Sequence, residues 1–184
     1  MKSWFFRSVI AVMWLCLGAA IAVDQGKKGA QTAAEDEKPA MEKIVVQIQK
    51  ADYEDDRKAL ASLAGELTPY TENGPLASRA RYWRGFAMWR RALNGFNDNV
   101  DPKELEKDLT DAVSEFTAAA KDPGFADAKV GASSCLFTLS YLSRNDAERR
   151  KAYITQGIHM MGEMLWSAAI FGRPAQDNPR FLWV

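Results

Sequence analysis

Between residues 41 and 171, apolar side chains recur with the period of an α-helix, and no segment alternates in the way a strand would. The pattern predicts six helices: about Met41–Lys50, Glu54–Leu67, Leu76–Leu93, Pro102–Lys121, Phe125–Leu142, and a last one that starts after Asp146 and ends near Phe171. Short turns between helices place neighbours side by side in opposite directions. We therefore expect an all-α fold of about three antiparallel helix hairpins.

The stretch Asp111–Val130, DAVSEFTAAAKDPGFADAKV, has the most distinctive spacing in the chain. Ala112, Phe116 and Ala119 fall on one helical face, where small residues let a neighbouring helix approach closely. The phenylalanine would fill the wedge between the two helices. Pro123 then stops the helix, because it has no N–H to continue the hydrogen-bond ladder.

This spacing resembles the second helix of a tetratricopeptide repeat (TPR) followed by the first helix of the next repeat, most clearly over Asp111–Leu136. Trp83, Phe86 and Ala87 also match the repeat pattern, but with substitutions. Pro123 comes one residue early, and the interval from Trp83 to Ala112 is too long, so the repeats are irregular. The resemblance implies a TPR-like α-solenoid over 41–172, with a groove that binds peptides and is lined by the first helix of each pair.

The N-terminus has the layout of a secretory signal. Lys2 and Arg7 precede the uncharged apolar run Val9–Ala22, which ends in small residues and predicts cleavage before Val23. The run is shorter than the roughly 20 residues of a membrane helix, although an uncleaved anchor is the alternative. Residues 1–22 are thus predicted to be a signal peptide and 23–40 a flexible polar linker. The protein would be periplasmic or extracellular, with only transient membrane contact through the signal.

Charge and cysteine content restrict the function further. Loss of Lys2 and Arg7 with the signal leaves 22 of the 24 basic residues against 24 acidic ones, a balance that argues against nucleic-acid binding. Cys135 then remains as the one cysteine and lies in an apolar predicted helix. We expect a small buried hydrophobe there rather than a reactive thiol, and no internal disulfide.

The third predicted helix carries the candidate ligand-binding residues. Arg81, Arg84 and Arg91 share one face, apart from an aromatic stripe that is expected to pack in the core. If this helix lines the groove, as the resemblance implies, its guanidinium groups can bind carboxylates of an acidic peptide. The alternative is pairing with the acidic helix that follows, which contains Glu104 to Glu115. Lys129, on the fifth helix, is the fourth candidate.

No catalytic signature is present. The sequence has no phosphate-binding loop, no nucleophile elbow and no zinc-protease motif. His159 and Glu163 are spaced to share a helix face, but a metal site needs three or four ligands, so we expect a local pair and predict no metal and no cofactor.

The last residues suggest a further element. Asp177 to Arg180, with Pro179 between them, resemble another turn between repeats, and Phe181 to Val184 resemble the opening of a seventh helix. Residues 173–184 are therefore either the start of a further, truncated repeat or a tail that folds back onto the last hairpin.

Together these features predict an exported, non-catalytic scaffold or adaptor that binds a protein or peptide in a helical groove, with arginines that favour an acidic ligand. A domain that binds a small molecule or glycan in a pocket between hairpins is the alternative. An enzyme acting on a cell-envelope polymer is the third class, favoured only by the export signal.

Overall fold

The computed structural model describes residues 37–72 and 74–171, with side chains to residue 165. The chain divides into two compact units, Met1–Ala40 and Met41–Val184, of which the first lies almost entirely outside the described residues. The predicted signal peptide, most of the linker and the segment 173–184 also lie outside them. Nearly all of the described residues, from Met41 onward, belong to the second unit.

The described residues contain six helices and no strand, which confirms the all-α prediction. The helices are α1 (37–53), α2 (Arg57–Glu66), α3 (Ala77–Asn97), α4 (Pro102–Ala119), α5 (Ala128–Leu142) and α6 (Ala147–Phe171). Short 3₁₀ turns at Thr68–Tyr70 and Pro123–Phe125 lie between α2 and α3 and between α4 and α5. Within this part of the chain, no helix has the length and apolar character needed to cross a membrane.

Acidic residues in front of the helices fix several of the starts. Asp101 caps α4 by accepting a hydrogen bond from the Lys103 N–H, and Pro102 occupies the first turn, where the sequence predicts the helix to begin. Asp56 caps α2 in the same manner. Asp55 adopts a left-handed backbone conformation (φ 55°), so α2 begins three residues later than predicted.

Two other boundaries differ from the prediction. Helix α1 already includes 37–40, which the sequence places in the polar linker. Helix α3 continues through Gly95, which the sequence places in a loop. A Cβ at Gly95 would lie 2.6 Å from Leu105 Cδ2 and 3.1 Å from Arg57 Nε. This glycine therefore permits close packing from inside the helix and does not end it.

Helices α3 and α5 each pack on the two helices that precede them in the chain. Helix α3 contacts α2, and its Ala80 and Ala87 share a buried cluster with Met41 and Ile48 of α1. Helix α5 contacts both α3 and α4, and a second buried cluster is built around Phe116 of α4. Helix α6 packs against α5.

Phe116 lies where α3, α4 and α5 meet. It is 1% exposed, and its ring is edge-on to Tyr82 at a centroid distance of 5.6 Å. On the other side, a Cβ at Gly131 of α5 would lie 2.7 Å from Phe116 Cζ. Gly131, opposite the phenylalanine, is thus required for α5 to approach α4. Phe116 itself fills the wedge between the helices, as the spacing of Ala112, Phe116 and Ala119 predicts.

Two apolar helix faces are less buried than their sequence patterns indicate. On α6, Ile158 and Leu165 recur at helical spacing with Ile154 and Met161, but they are 61% and 60% exposed. Helix α5 is also not enclosed on all sides, because Phe137 and Tyr141 are 38% and 60% exposed. On both helices, these apolar side chains are only partly covered by the other described residues.

Candidate functional site

Two of the candidate arginines converge on one carboxylate. Arg81 and Arg84 of α3 both donate to Glu115 of α4, Arg81 across 3.2 Å and Arg84 at closer range. The Glu115 side chain is only 10% exposed, whereas those of Arg81 and Arg84 are 31% and 25% exposed. Because two guanidinium groups share one carboxylate, this group of three carries an excess positive charge.

The third candidate, Arg91, belongs to a four-residue cluster that joins three helices. Its guanidinium donates to Asp108 and to Glu104 of α4, at 2.5 Å in each case. Glu104 also accepts from Arg57 of α2 at 2.9 Å, and Arg57 Nε donates to the Arg91 carbonyl at 3.0 Å. Charges balance within this cluster, which lies at the junction of α2, α3 and α4.

Lys129, the fourth candidate, pairs across the last hairpin. Its Nζ lies 2.8 Å from Glu163 Oε2 on α6, and His159 Nδ1 lies 3.4 Å from the other Glu163 oxygen. Lys129 holds the pKa of the Glu163 carboxyl below its usual range by hydrogen bonding to it. The structure therefore places all four candidates in ion pairs between helices, and only Arg81, Arg84 and Arg91 come together on one helix.

Asp108 is the most buried carboxylate of the arginine clusters, at 4% exposed. Burial raises the pKa of Asp108, the nearby Arg91 opposes the rise, and Glu104 adds to it. Burial outweighs the ion pair because Asp108 Oδ2 accepts no hydrogen bond from the described residues. The ionised form of Asp108 is therefore less favourable in the folded protein than in the unfolded chain.

This raised pKa has a pH signature. The folded protein binds the Asp108 proton more tightly than the unfolded chain does, so this group's contribution to the free energy of unfolding falls as pH rises from the unfolded pKa through the folded one. We expect Asp108→Asn to match the wild type in acid, where Asp108 is protonated, and to be the more stable protein near neutral pH. Urea unfolding across the acid range measures the difference. A variant that becomes relatively less stable as pH rises would show that Arg91, not burial, dominates.

An exposed tyrosine with a half-buried phenylalanine and an arginine beside it is a candidate site that sequence reasoning missed. Tyr141 of α5 lies beside Phe96 of α3, with ring centroids 6.3 Å apart. The guanidinium of Arg144 lies over the same tyrosine ring, 5.8 Å from its centroid. Arg144 is exposed and forms no ion pair with any residue that the structure describes. We call Phe96, Tyr141 and Arg144 the aromatic–arginine surface.

A sequence signal for this surface does exist. Ser134, Thr138 and Tyr141 recur at helical spacing and mark a polar-edged face on a helix that otherwise looks apolar all round.

The aromatic stripe of α3 behaves as predicted in part. Tyr82, Phe86 and Trp89 pack against the buried cluster around Phe116, but none of the three is fully buried.

Few groups in the described part of the chain could act as a nucleophile, bind a metal ion or enclose a ligand. Cys135 is fully buried, and burial raises the pKa of its thiol, which fits the predicted packing role. No cluster of three or more His, Cys, Asp or Glu side chains able to hold a metal ion is found between residues 37 and 165. Two concavities, of about 330 and 660 Å³, are each lined by a single helix, α4 or α6, and are wide open to solvent.

Comparisons of this chain with protein-family models, with curated proteins and with solved structures gave no match.

Proposed function

We propose that this protein is an exported, non-catalytic TPR-like scaffold that binds a polypeptide, and that the aromatic–arginine surface is its recognition site. The observation that carries the proposal is the 60% exposure of Tyr141, an aromatic ring that has both Phe96 and the Arg144 guanidinium as neighbours. Tyrosine and arginine are among the residue types most enriched in the energetically important contacts of protein interfaces.

The position of Tyr141 supports recognition by helices α3 and α5. Phe96 and Tyr141 come from different hairpins, so a segment lying across them would contact both. In the proposed solenoid these are the first helices of successive pairs, which is the side where the TPR resemblance implies a groove. A rigid pair of rings loses little conformational entropy on binding, because each side chain has only two rotatable bonds.

An acidic partner is favoured by charge. Arg144 has no carboxylate partner among the described residues, and its guanidinium lies over the tyrosine ring, 5.8 Å from the centroid. A guanidinium binds a carboxylate through two parallel hydrogen bonds. Arg81 and Arg84 support the same preference more weakly, since they share Glu115 and retain an excess positive charge.

The alternative functions have less support. Neither of the two open concavities is a ligand pocket between hairpins, since each is lined by a single helix. Small-molecule sites usually enclose most of the ligand surface. For an enzyme, nothing in the described residues pairs a nucleophile with a base.

We test the proposal with a displayed peptide library and the full chain. The wild type is expected to enrich peptides that carry acidic residues beside an apolar one. Tyr141→Ser should weaken binding of an enriched peptide about tenfold, because it removes a hot-spot ring worth roughly 1–2 kcal/mol. Arg144→Glu should shift the enrichment from acidic to basic peptides. Fluorescence anisotropy with the selected peptide measures both effects.

The matched control is Tyr53→Ser on α1, since Tyr53 is 91% exposed and has no aromatic neighbour among the described residues. It should leave binding unchanged. Absence of any enriched peptide, together with a ligand-induced rise in melting temperature on adding sugars or metabolites, would overturn the proposal in favour of a small-molecule site. If Arg81→Glu with Arg84→Glu abolishes binding at unchanged helix content, the acidic partner binds at those arginines instead.

A further inference from the structure

The open side of the last hairpin carries a continuous apolar strip. The ring of Phe137 on α5 lies over Gly157 of α6. A Cβ added at Gly157 would be 3.0 Å from that ring. On α6, Ile154 and Met161 flank Gly157 at i−3 and i+4, and Ile158 and Leu165 continue the same row. We call Phe137, Ile154, Ile158, Met161 and Leu165 the terminal strip. Its three most exposed members are 38%, 61% and 60% exposed, at Phe137, Ile158 and Leu165.

The packing order within the molecule indicates what such a strip accepts. Helix α3 packs on both α1 and α2, and helix α5 packs on both α3 and α4. In each case a helix fills the space beside the preceding hairpin. The corresponding space beside α5 and α6 is where the terminal strip lies. A further helix is therefore the element that would bury it.

The sequence that follows α6 has the features of such a helix. Asn178-Pro179 repeats the arrangement of Asp101-Pro102, where the acidic residue caps α4 and the proline occupies its first turn. Asparagine is as good a cap as aspartate. The apolar residues Phe181, Leu182 and Trp183 come directly afterwards.

The connection is long enough for this segment to reach the strip. Ile158 lies 13 residues before the end of α6 at Phe171, or about 20 Å along the helix axis, and Leu165 lies about 9 Å from that end. The ten residues from 172 to Phe181 span up to about 33 Å when extended.

From these observations we infer that residues 178–184 of this chain dock on the terminal strip, with Leu182 and its apolar neighbours against Phe137, Ile158 and Leu165. The proposal does not depend on the peptide-binding function, because the aromatic–arginine surface is a different set of residues.

Cysteine crosslinking tests the docking directly. In the full chain with Cys16 and Cys135 replaced by alanine, Ile158→Cys is combined with Leu182→Cys and treated with a short bis-maleimide. We expect an intramolecular crosslink, found by mass spectrometry in the monomer band. The matched control replaces Ile158→Cys by Gln156→Cys, which is also exposed but lies on the opposite side of α6. Its crosslink yield should be lower by about tenfold, because the effective concentration of the two thiols is lower.

Other outcomes overturn the inference. Equal yields for the two positions would show that the segment has no preferred side of α6. A crosslink found mainly in dimers, and increasing with protein concentration, would assign the strip to the segment of a second copy. Failure to crosslink at either position would show that the segment does not dock there and would leave the strip for a different partner.

A second measurement does not rely on introduced cysteines. Phe181→Ser, Leu182→Ser and Trp183→Ser are combined in one variant, and binding of the dye ANS is compared with that of the wild type. If the segment covers the strip, the variant exposes it and dye fluorescence rises severalfold. Unchanged fluorescence at unchanged helix content would contradict docking.

Discussion

Phe116→Ala is expected to lower the free energy of unfolding by about 3–5 kcal/mol, the range for removing a buried phenylalanine. The ring is 1% exposed, has Tyr82 and Trp89 of α3 as aromatic neighbours, and packs against Gly131 of α5. Its removal leaves a cavity at the point where α3, α4 and α5 meet. Since a domain of this kind has roughly 5–15 kcal/mol of stability in total, the variant should be close to unfolding. Urea unfolding followed by circular dichroism measures the loss.

Two control variants give the loss of stability expected from a smaller change in volume and from removal of an exposed ring. Phe116→Leu keeps most of the volume and should cost only about 1 kcal/mol. Tyr53→Ala removes a ring that is 91% exposed and should change stability by less than about 0.5 kcal/mol. A small effect of Phe116→Ala, similar to that of Tyr53→Ala, would mean that the three helices do not meet at this residue.

Arg91→Met is the second variant for which we expect a large effect, about 3 kcal/mol of lost stability at neutral pH. The Arg91 guanidinium is the ion-pair partner of Asp108, whose side chain is 6% exposed, and without it a buried carboxylate remains that must stay charged or take up a proton. Glu104 is less affected because it keeps its bond to Arg57. Denaturant unfolding at neutral pH gives the magnitude.

A double variant separates the buried charge from the loss of packing. Arg91→Met with Asp108→Asn removes both charges and should recover most of the lost stability, since buried ion pairs can often be replaced by neutral groups at little cost. Lys107→Met, on the same helix as Asp108, breaks an exposed pair with Asp111 and should cost at most about 0.5 kcal/mol. If the double variant is no better than Arg91→Met alone, the arginine acts through its packing and not through its charge.

Helix number and approximate helix position could be predicted from the sequence because both depend on local patterns. Apolar spacing, the helix start at Pro102 and the stop at Pro123 act within a few residues, and the structure confirms them. The prediction of a loop at Gly95 is wrong because it uses the same local information. A glycine in a polar segment usually indicates a turn, and only the approach of Leu105 and Arg57 shows why it lies inside α3.

The candidate site was less predictable because it depends on which helices are neighbours. The spacing of Arg81, Arg84 and Arg91 places them on one face, but it does not say whether that face meets solvent or α4. The sequence left both options open, and the structure shows each arginine paired with α4. Tyr141 presents the opposite case. Its apolar surroundings in the sequence indicate burial, but Phe96 and Arg144 cover only part of its ring, which leaves Tyr141 60% exposed.

The cluster formed by Arg57, Arg91, Glu104 and Asp108 bears on how the protein unfolds. Stacked hairpins that touch only their neighbours can separate one after another, with partly unfolded states between. Here a residue of α2 and a residue of α3 share one carboxylate of α4, so the first two hairpins cannot part without breaking the same set of bonds. Helices α1 to α4 should consequently melt in one cooperative step, and α6, which packs mainly on α5, is the element that can fray alone.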